Sequence, residues 1–153
     1  MGKAMNSVTI KHLDPDDLDI LLHSGNDVFD NPVIPEQARA FLASDMHHIV
    51  VALDGKKLVG MASAVTLLHP DKQPQVFISE VGVQDDYLRR GIGRRLIKRL
   101  IQVVRGDDEP DIWLATEEDN VAARALYSAL GARETKGIVV CDWGGAMDAD
   151  QPN

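Results

Sequence analysis

Short stretches of the chain in which hydrophobic positions alternate with polar ones, or follow one another without interruption, predict the strands of the fold. They lie at residues 8–13, 47–53, 57–68, 75–83 and 111–116. Hydrophobic positions three or four residues apart, with capping residues at their ends, predict helices at 14–29, 36–44, 91–106 and 120–131. A last hydrophobic stretch, at 133–143, predicts a closing pair of strands. The order β-α-α-β-β-β-α-β-α-β-β indicates an α/β (α+β) fold.

The length of 153 residues suits a single domain. We expect a flexible N-terminus at residues 1–7, one domain at 8–143 and a disordered tail at 144–153. The chain has no hydrophobic run of about 18 residues, and its first residues do not have the layout of a signal peptide. We therefore expect a cytoplasmic protein with no membrane partner.

Charge is unevenly distributed along the chain. Residues 89–99 contain six basic side chains and no acidic one, so the net charge of −8 leaves −14 on the rest of the chain. A nucleic-acid partner is not expected, because it would need a broad basic surface. A strongly acidic body attracts polycations instead.

The histidines and the cysteine do not indicate metal or thiol chemistry. None of the five histidines has the spacing of a metal-ligand pattern, so we predict no metal site. A single cysteine, Cys141, excludes an intrachain disulfide. Its apolar neighbours predict a buried thiol rather than a nucleophile.

The most informative motif joins the strand that ends at Val83 to the predicted helix at 91–106 through a turn with two glycines. A helix N-terminus offers unpaired backbone N–H groups and the positive end of the helix dipole to an anion. Gly91 and Gly93 let a ligand approach the backbone closely. Positive charge around the turn comes from Arg89, Arg90, Arg94 and Arg95. Because the turn lacks the lysine of a Walker A motif and the third glycine of a dinucleotide fingerprint, it predicts another kind of phosphate site.

A second motif follows the strand predicted at 111–116. Residues 120–131 match the pattern Asn-x-x-Ala-x-x-Leu-Tyr-x-x-x-Gly. Residues 88–93 match Arg/Gln-x-x-Gly-x-Gly/Ala except that Leu88 stands at the first position. With these two motifs the chain resembles the GCN5-related N-acetyltransferases (GNAT) over residues 8–143. The resemblance implies a mixed, mostly antiparallel central sheet with helices on both faces.

The resemblance also implies acetyl-CoA as the co-substrate. Its pyrophosphate is expected on the backbone of the turn after Leu88, and its pantetheine on the preceding strand, where Gly82 would mark a bulge. Asn120 would bond the coenzyme from the loop before the last helix. The residues expected to bind acetyl-CoA are Val81, Val83, Arg89, Arg90, Gly91, Ile92, Gly93, Arg94 and Asn120.

Two side chains are candidates for proton transfer. Glu80 lies in the strand just before the glycine turn, with Ile78 and Gly82 expected on the same face, and the resemblance implies that it is the general base. Tyr127 is the candidate acid for the departing thiolate. The expected transfer is direct, because no Cys–His or Ser–His pair is evident.

The segments around Glu80, the glycine turn and Tyr127 further resemble the aminoglycoside 3-N-acetyltransferases, which confer antibiotic resistance and usually have Asp at the position of Glu80. A polycationic amino sugar suits the acidic body of the protein. The residues expected at the acceptor are Asp30, Glu80, Asp119 and Asp142. Two alternatives stay open: a GNAT enzyme for another small amine or a protein N-terminus, and a non-catalytic acetyl-CoA-binding module. We also expect a homodimer formed through the C-terminal strands.

Overall fold

Five strands form one sheet, and helices pack against both of its faces. The computed structural model describes residues 7–25 and 27–148. The strands are β1 (Val8–His12), β2 (His47–Asp54), β3 (Lys57–Leu67), β4 (Gln75–Val83) and β5 (Ile112–Trp113). The α-helices are α1 (Leu18–Leu22), α2 (Pro35–Ala43), α3 (Ile92–Arg105) and α4 (Val121–Ala129), and short 3-10 helices lie at Pro15–Asp17 and Asp85–Tyr87.

The strands are ordered in the sheet as they are in the sequence, from β1 to β5. β1 to β4 are antiparallel neighbours. β5 runs parallel to β4 and pairs at only two positions, Val76 with Ile112 and Phe77 with Trp113. The predicted mixed, mostly antiparallel sheet is confirmed.

Each face of the sheet carries its own hydrophobic cluster. Successive side chains of a strand point to opposite faces, so Val50 and Ala62 pack on the side of α3, while Val51 and Met61 pack on the side of α1 and α2. The buried stripe of α3 consists of Ile92, Leu96, Ile97 and Leu100. We call the buried residues on this side of the sheet, which include Val50, Ala62 and the stripe of α3, the α3 cluster. The helices thus cover both faces, as the resemblance implied.

The first predicted helix was expected to reach residue 29, but α1 ends before His23. The ring nitrogen Nδ1 of His23 lies 2.8 Å from the backbone oxygen of Asp19. The hydroxyl of Ser24 donates to the backbone oxygen of Leu21 at 2.6 Å. Because side chains satisfy the last carbonyl groups, the helix can stop here, and the chain continues as a loop toward α2.

The prediction of two strands at 133–143 was wrong for the described part of the chain. Residues 131–148 are exposed throughout and none of them belongs to a strand. A strand needs an adjacent edge with which to pair, and the pairing of β5 with β4 already stops at Trp113, short of the predicted 111–116. Cys141, which was predicted to be buried, is exposed in this segment.

The predicted termini fall largely outside the described residues. Residues 1–6 and 149–153 are not among the described residues, so the predicted domain limits remain a prediction. At 144–148 the chain forms turns, and the backbone N–H of Asp148 donates to the oxygen of Gly145 at 3.0 Å. No helix within 7–25 and 27–148 is long and apolar enough to cross a membrane.

Candidate active site

The N-terminus of α3 has the backbone geometry of an anion site. Gly91 is the N-cap with a φ of 74°, and Arg89 also has a positive φ, 62°. The first helical hydrogen bond runs from Arg95 N to Gly91 O at 3.1 Å, so the N–H groups at 92–94 have no partner within the helix. Among the described residues no side chain caps this end. Three backbone donors and the positive end of the helix dipole are therefore available to an anion.

Two residues that the sequence analysis did not single out hold Arg90 beside this turn. Tyr87 is buried, and its hydroxyl donates to the carboxylate of Asp54 at the end of β2. The guanidinium carbon of Arg90 lies 4.9 Å from the centre of the Tyr87 ring. The hydrogen bond to Asp54, together with burial, raises the pKa of Tyr87. Arg89 and Arg94 are exposed, so their charge faces solvent around the turn.

A bulge in β4 turns Glu80 toward the face that carries α1 and α2. Ser63 pairs with Glu80 and Ala64 pairs with Ile78, so Ser79 is the extra residue between them. Ile78 is buried in the α3 cluster, on the opposite face. The expectation that Ile78 and Glu80 share a face was wrong, because the extra residue interrupts the period of two.

Gly82 also has a different role from the expected one, since the bulge lies at Ser79. A Cβ atom at Gly82 would lie 2.7 Å from the backbone oxygen of Val28, closer than Cβ atoms approach other atoms in proteins. The absence of a side chain lets the loop between α1 and α2 lie directly against β4. This close approach holds the loop beside Glu80.

The loop after α1, the helix α2 and the sheet line an open cavity of about 280 Å³. Its polar lining includes the carboxylates of Asp30 and Glu80 and the hydroxyl of Ser63, which lies 3.1 Å from the hydroxyl of Ser79. Its apolar walls include Phe29, Val33, Ile34, Phe41, Ile49 and Met61. The sequence analysis missed Ser63, although a single serine in the otherwise apolar run 58–65 was a visible signal.

The surroundings of Glu80 favour its protonated form. Partial burial raises the pKa of Glu80, and the carboxylate of Asp30 raises it further. Glu80 remains accessible to solvent at the mouth of the cavity. A carboxylate with a raised pKa is a stronger base, and a base is most effective when its pKa approaches the working pH. The site can therefore accept a proton from an ammonium group bound in the cavity.

β4 has an open edge beside this cavity. Beyond Phe77, the only strand that pairs with β4 in the described part of the chain is β3, because β5 ends at Trp113. Val81 and Val83 lie along this stretch, and both side chains are half-buried against the α3 cluster. The backbone polar groups of an open edge can bond an extended ligand.

Tyr127, the second catalytic candidate, lies on the side of the sheet away from the cavity. Its ring is half-buried against the α3 cluster, and this burial raises the pKa of its phenol. α4 contacts α3 here, since a Cβ atom at Gly93 would lie in van der Waals contact with Leu126 Cδ2, at 3.4 Å. Tyr127 is not among the cavity residues, so the two catalytic candidates do not share one pocket.

Asn120 is the N-cap of α4. Its side-chain oxygen accepts a hydrogen bond from the backbone N–H of Ala123 at 3.1 Å. Such a cap contributes about 1 kcal/mol to the stability of a helix. Asn120 therefore has a structural role, and its amide nitrogen is the part that a ligand could use.

The predicted acceptor residues are only partly brought together. Asp30 and Glu80 line the cavity. Asp119 lies in the exposed loop before α4, and Asp142 accepts a hydrogen bond from the backbone N–H of Gly145 at 3.0 Å. Within the described ranges no cluster of three or more His, Cys, Asp or Glu side chains is arranged to hold a metal ion.

The comparison with protein families agrees with this geometry. The model described as Acetyltransferase (GNAT) family matches residues 16–132, which include the cavity, the turn before α3 and α4. This chain belongs to the GNAT acetyltransferase family. The resemblance recognised from the two motifs is therefore confirmed.

One relative with a similar sequence is an N-alpha-acetyltransferase. N-alpha-acetyltransferase RimI of Mycobacterium tuberculosis is 36% identical over 104 residues, which are 68% of this chain and 63% of RimI. The chain thus spans somewhat less than two thirds of that relative.

Solved structures of aminoglycoside acetyltransferases share the fold. One, from an uncultured soil metagenomic sample in complex with sisomicin, is 19% identical with a TM-score of 0.75, over 92% of this chain and 98% of that one. Aminoglycoside N-acetyltransferase AAC(6')-Iy in complex with CoA is 17% identical with a TM-score of 0.70, over 90% and 95%. At these identities the likeness shows the fold, and it confirms the predicted resemblance to this group at that level.

Proposed function

We propose that this protein transfers the acetyl group of acetyl-CoA directly to an amine held in the cavity beside Glu80. The observation that carries the proposal is the bulge in β4, which places a carboxyl group of raised pKa at the cavity. The same strand has an open edge and leads into the uncapped N-terminus of α3. An acceptor site, an edge for an extended ligand and a phosphate site thus follow one another along β4 and the next turn.

The residues present fit acetyl-CoA, which supplies the acetyl group as a thioester. The N–H groups at 92–94 would hold the pyrophosphate, with Arg89 and Arg94 as exposed cations nearby. The backbone of β4 at Val81 and Val83 would bond the pantetheine arm. Leu88 removes one side-chain donor of the family pattern, so the backbone carries a larger share of the binding. The CoA complex of AAC(6')-Iy supports this assignment.

Glu80 and Tyr127 would move the two protons of the reaction. Glu80 takes a proton from the bound ammonium, so that the nitrogen lone pair can attack the thioester carbonyl carbon. A C–N bond forms, the C–S bond breaks, and Tyr127 donates its phenolic proton to the sulfur. The second proton that the nitrogen loses on becoming an amide returns, through water, to the Tyr127 phenolate. An acyl group bound along the β4 edge would have the base on one face of the sheet and the acid on the other. With this placement, Glu80 and Tyr127 could act on the same acyl group from opposite faces of the sheet.

The cavity favours an acceptor in which the ammonium group lies next to an apolar group. Asp30 and Glu80 provide negative charge, and aromatic and aliphatic side chains form much of the remaining wall. The amino terminus of a peptide with an apolar first side chain has this chemistry. The similarity to an N-alpha-acetyltransferase supports the same choice. We therefore propose a peptide or protein N-terminus as the acceptor.

An aminoglycoside, which the sequence analysis placed first, is the second candidate acceptor. The sisomicin complex of a protein with the same fold and the net charge of −8 favour it. A compound with several ammonium groups calls for several carboxylates, and the described cavity is lined by two, those of Asp30 and Glu80. Asp119 and Asp142, which would have completed the set, lie away from it. For this reason we propose the peptide N-terminus first and the aminoglycoside second.

The test is thiol release from acetyl-CoA with matched acceptors. The panel contains peptides with a free N-terminus and an apolar first residue, the same peptides with a blocked N-terminus, sisomicin, and a polyamine. We expect turnover of the free peptides only. Turnover confined to sisomicin would establish the aminoglycoside instead, and acetyl-CoA binding without any turnover would indicate a non-catalytic module. The cytoplasmic location and the homodimer expected from the sequence remain predictions.

A further inference from the structure

Ser63 places a buried hydroxyl in the wall of the cavity. The residue is 4% exposed, and it lines the cavity together with Asp30 and Glu80. In the antiparallel pairing of β3 with β4 its partner is Glu80, so the two side chains are neighbours on one face of the sheet. The surrounding part of β3 is otherwise apolar. The hydroxyl therefore stands beside the candidate base, where an acceptor would bind.

The hydrogen bonds of Ser63 leave its oxygen able to accept one more. The hydroxyl oxygens of Ser63 and Ser79 lie 3.1 Å apart, and Ser79 Oγ lies 3.4 Å from the backbone oxygen of Ser63. Each hydroxyl has one hydrogen and two lone pairs. If Ser79 donates to the backbone oxygen, Ser63 donates to Ser79 and keeps both lone pairs. If Ser79 donates to Ser63 Oγ instead, one lone pair of Ser63 is left for an N–H in the cavity.

The cavity thus offers one acceptor for each N–H of a primary ammonium group. Two are the carboxylates of Asp30 and Glu80, and the third is the hydroxyl of Ser63. When Glu80 has taken one proton, the nitrogen keeps two N–H groups, for which Asp30 and Ser63 remain. Two held N–H groups fix the direction of the lone pair that attacks the thioester.

We propose that Ser63 binds an N–H of the acceptor and makes the enzyme selective for primary amines, an inference that rests on the proposed function. A secondary amine, such as an N-methylated or a proline N-terminus, has one N–H fewer. It must leave one of the three acceptors without its donor, which is costly in a buried site. Because Ser63 is the uncharged acceptor, the substituent of a secondary amine is placed there at the lowest cost.

The experiment compares a peptide that has an apolar first residue with its N-methylated counterpart, by thiol release from acetyl-CoA. The unaltered protein should have the higher kcat/KM for the primary amine. Ser63→Ala should lower that kcat/KM by about ten- to a hundredfold and change the value for the N-methylated peptide little, so the ratio of the two falls. Ser63→Cys keeps the shape of the side chain but replaces oxygen with a weak acceptor, so it should lower the ratio as well.

Ser79→Ala is the matched control. It removes the same hydroxyl pair from the other side and keeps the Ser63 oxygen as an acceptor. The ratio should therefore stay as in the unaltered protein. An equal fall in Ser79→Ala would show that the pair has only a structural role and would overturn the proposal. A ratio that both Ser63 variants leave unchanged would overturn it too, as would an unaltered protein without preference for the primary amine.

The failure of this inference can be told apart from that of the proposed function. Turnover of both peptides with a ratio that does not depend on Ser63 would refute selection by Ser63 alone. Without turnover of either peptide by the unaltered protein, the proposed function would be refuted, and the role of Ser63 with it. The KM for acetyl-CoA should be the same in all three variants, which shows that each one folds and keeps its coenzyme side intact.

Discussion

The proposed coenzyme side and the proposed acceptor side of this site are built in different ways. The coenzyme side is continuous in sequence, because β4, the glycine turn and the first turn of α3 follow one another within residues 79–95. The acceptor side brings together α1, α2, the loop between them and three strands. The first depends on backbone geometry, which many sequences can keep, and the second on side chains from distant segments. Acceptors can therefore differ between relatives that bind the coenzyme in the same way.

Among the variants that test this comparison, the largest effect is expected from Tyr127→Phe, which should change the chemical step and spare both binding sides. It removes the proposed acid and keeps the ring that packs on the α3 cluster. General acid–base groups typically contribute 10²–10⁴-fold, so kcat should fall by about that factor with both KM values little changed. Steady-state kinetics measures this. The matched control is Tyr87→Phe, at the only other tyrosine, which should leave kcat near normal.

Gly82→Ala should damage the acceptor side. The added methyl group would lie 2.7 Å from the backbone oxygen of Val28, so the loop that carries Asp30 must move away from β4. We expect a loss of about 1–3 kcal/mol in stability from overpacking and a rise of about tenfold in the KM for the acceptor. Gly25→Ala, with nothing within 4 Å of the new atom, is the control. Equal changes in both KM values would contradict the division of the site.

Gly91→Ala should damage the coenzyme side. The position has open space for a methyl group but a φ of 74°, which costs a residue other than glycine about 1–2 kcal/mol. Relief of that strain would shift the N–H groups at 92–94, and the KM for acetyl-CoA should rise about tenfold. Gly106→Ala, at the other end of α3, is the control: its surroundings are also open, and its φ of 48° with a ψ of −142° strains an alanine at least as much. It should lower stability without changing that KM.

A smaller effect is expected from Asp30→Asn, and it concerns pH. The carboxylate of Asp30 raises the pKa of Glu80, so its removal should lower that pKa toward the ordinary value. Because the base must be ionised to act, the acid limb of the kcat/KM profile should move to lower pH, while the KM for the acceptor rises. The control Asp119→Asn, at an exposed position outside the cavity, should shift neither. An acid limb that stays at the same pH in Asp30→Asn would show that Asp30 does not raise the pKa of Glu80.

Local patterns predicted the bounds of β4 and α3 well. β4 was expected at 75–83 and spans Gln75–Val83, and α3 was expected at 91–106 and spans Ile92–Arg105. Both follow from the period of neighbouring side chains and from the glycines at the helix ends. These signals lie within the segments that they describe.

Features that depend on distant segments were not predictable in this way. The bulge at Ser79 leaves the period of β4 looking regular in sequence, yet it decides which face Glu80 occupies. The cavity joins Asp30 to Ser63 and Glu80 across the packing of α1 and α2, which one sequence does not show. The predicted strands at 133–143 fail for a related reason, because an apolar run forms a strand only when an edge is beside it.

The role of Glu80 is the central claim, and the pH dependence of kcat/KM for Glu80→Gln tests it most directly. An amide cannot accept the proton, so kcat/KM should fall by about 10²–10⁴-fold and its acid limb should disappear. Glu117→Gln, at an exposed glutamate outside the cavity, should reproduce the profile of the unaltered protein. If Glu80→Gln keeps both the acid limb and a kcat/KM close to that of the unaltered protein, the result would contradict the role of Glu80 as the base.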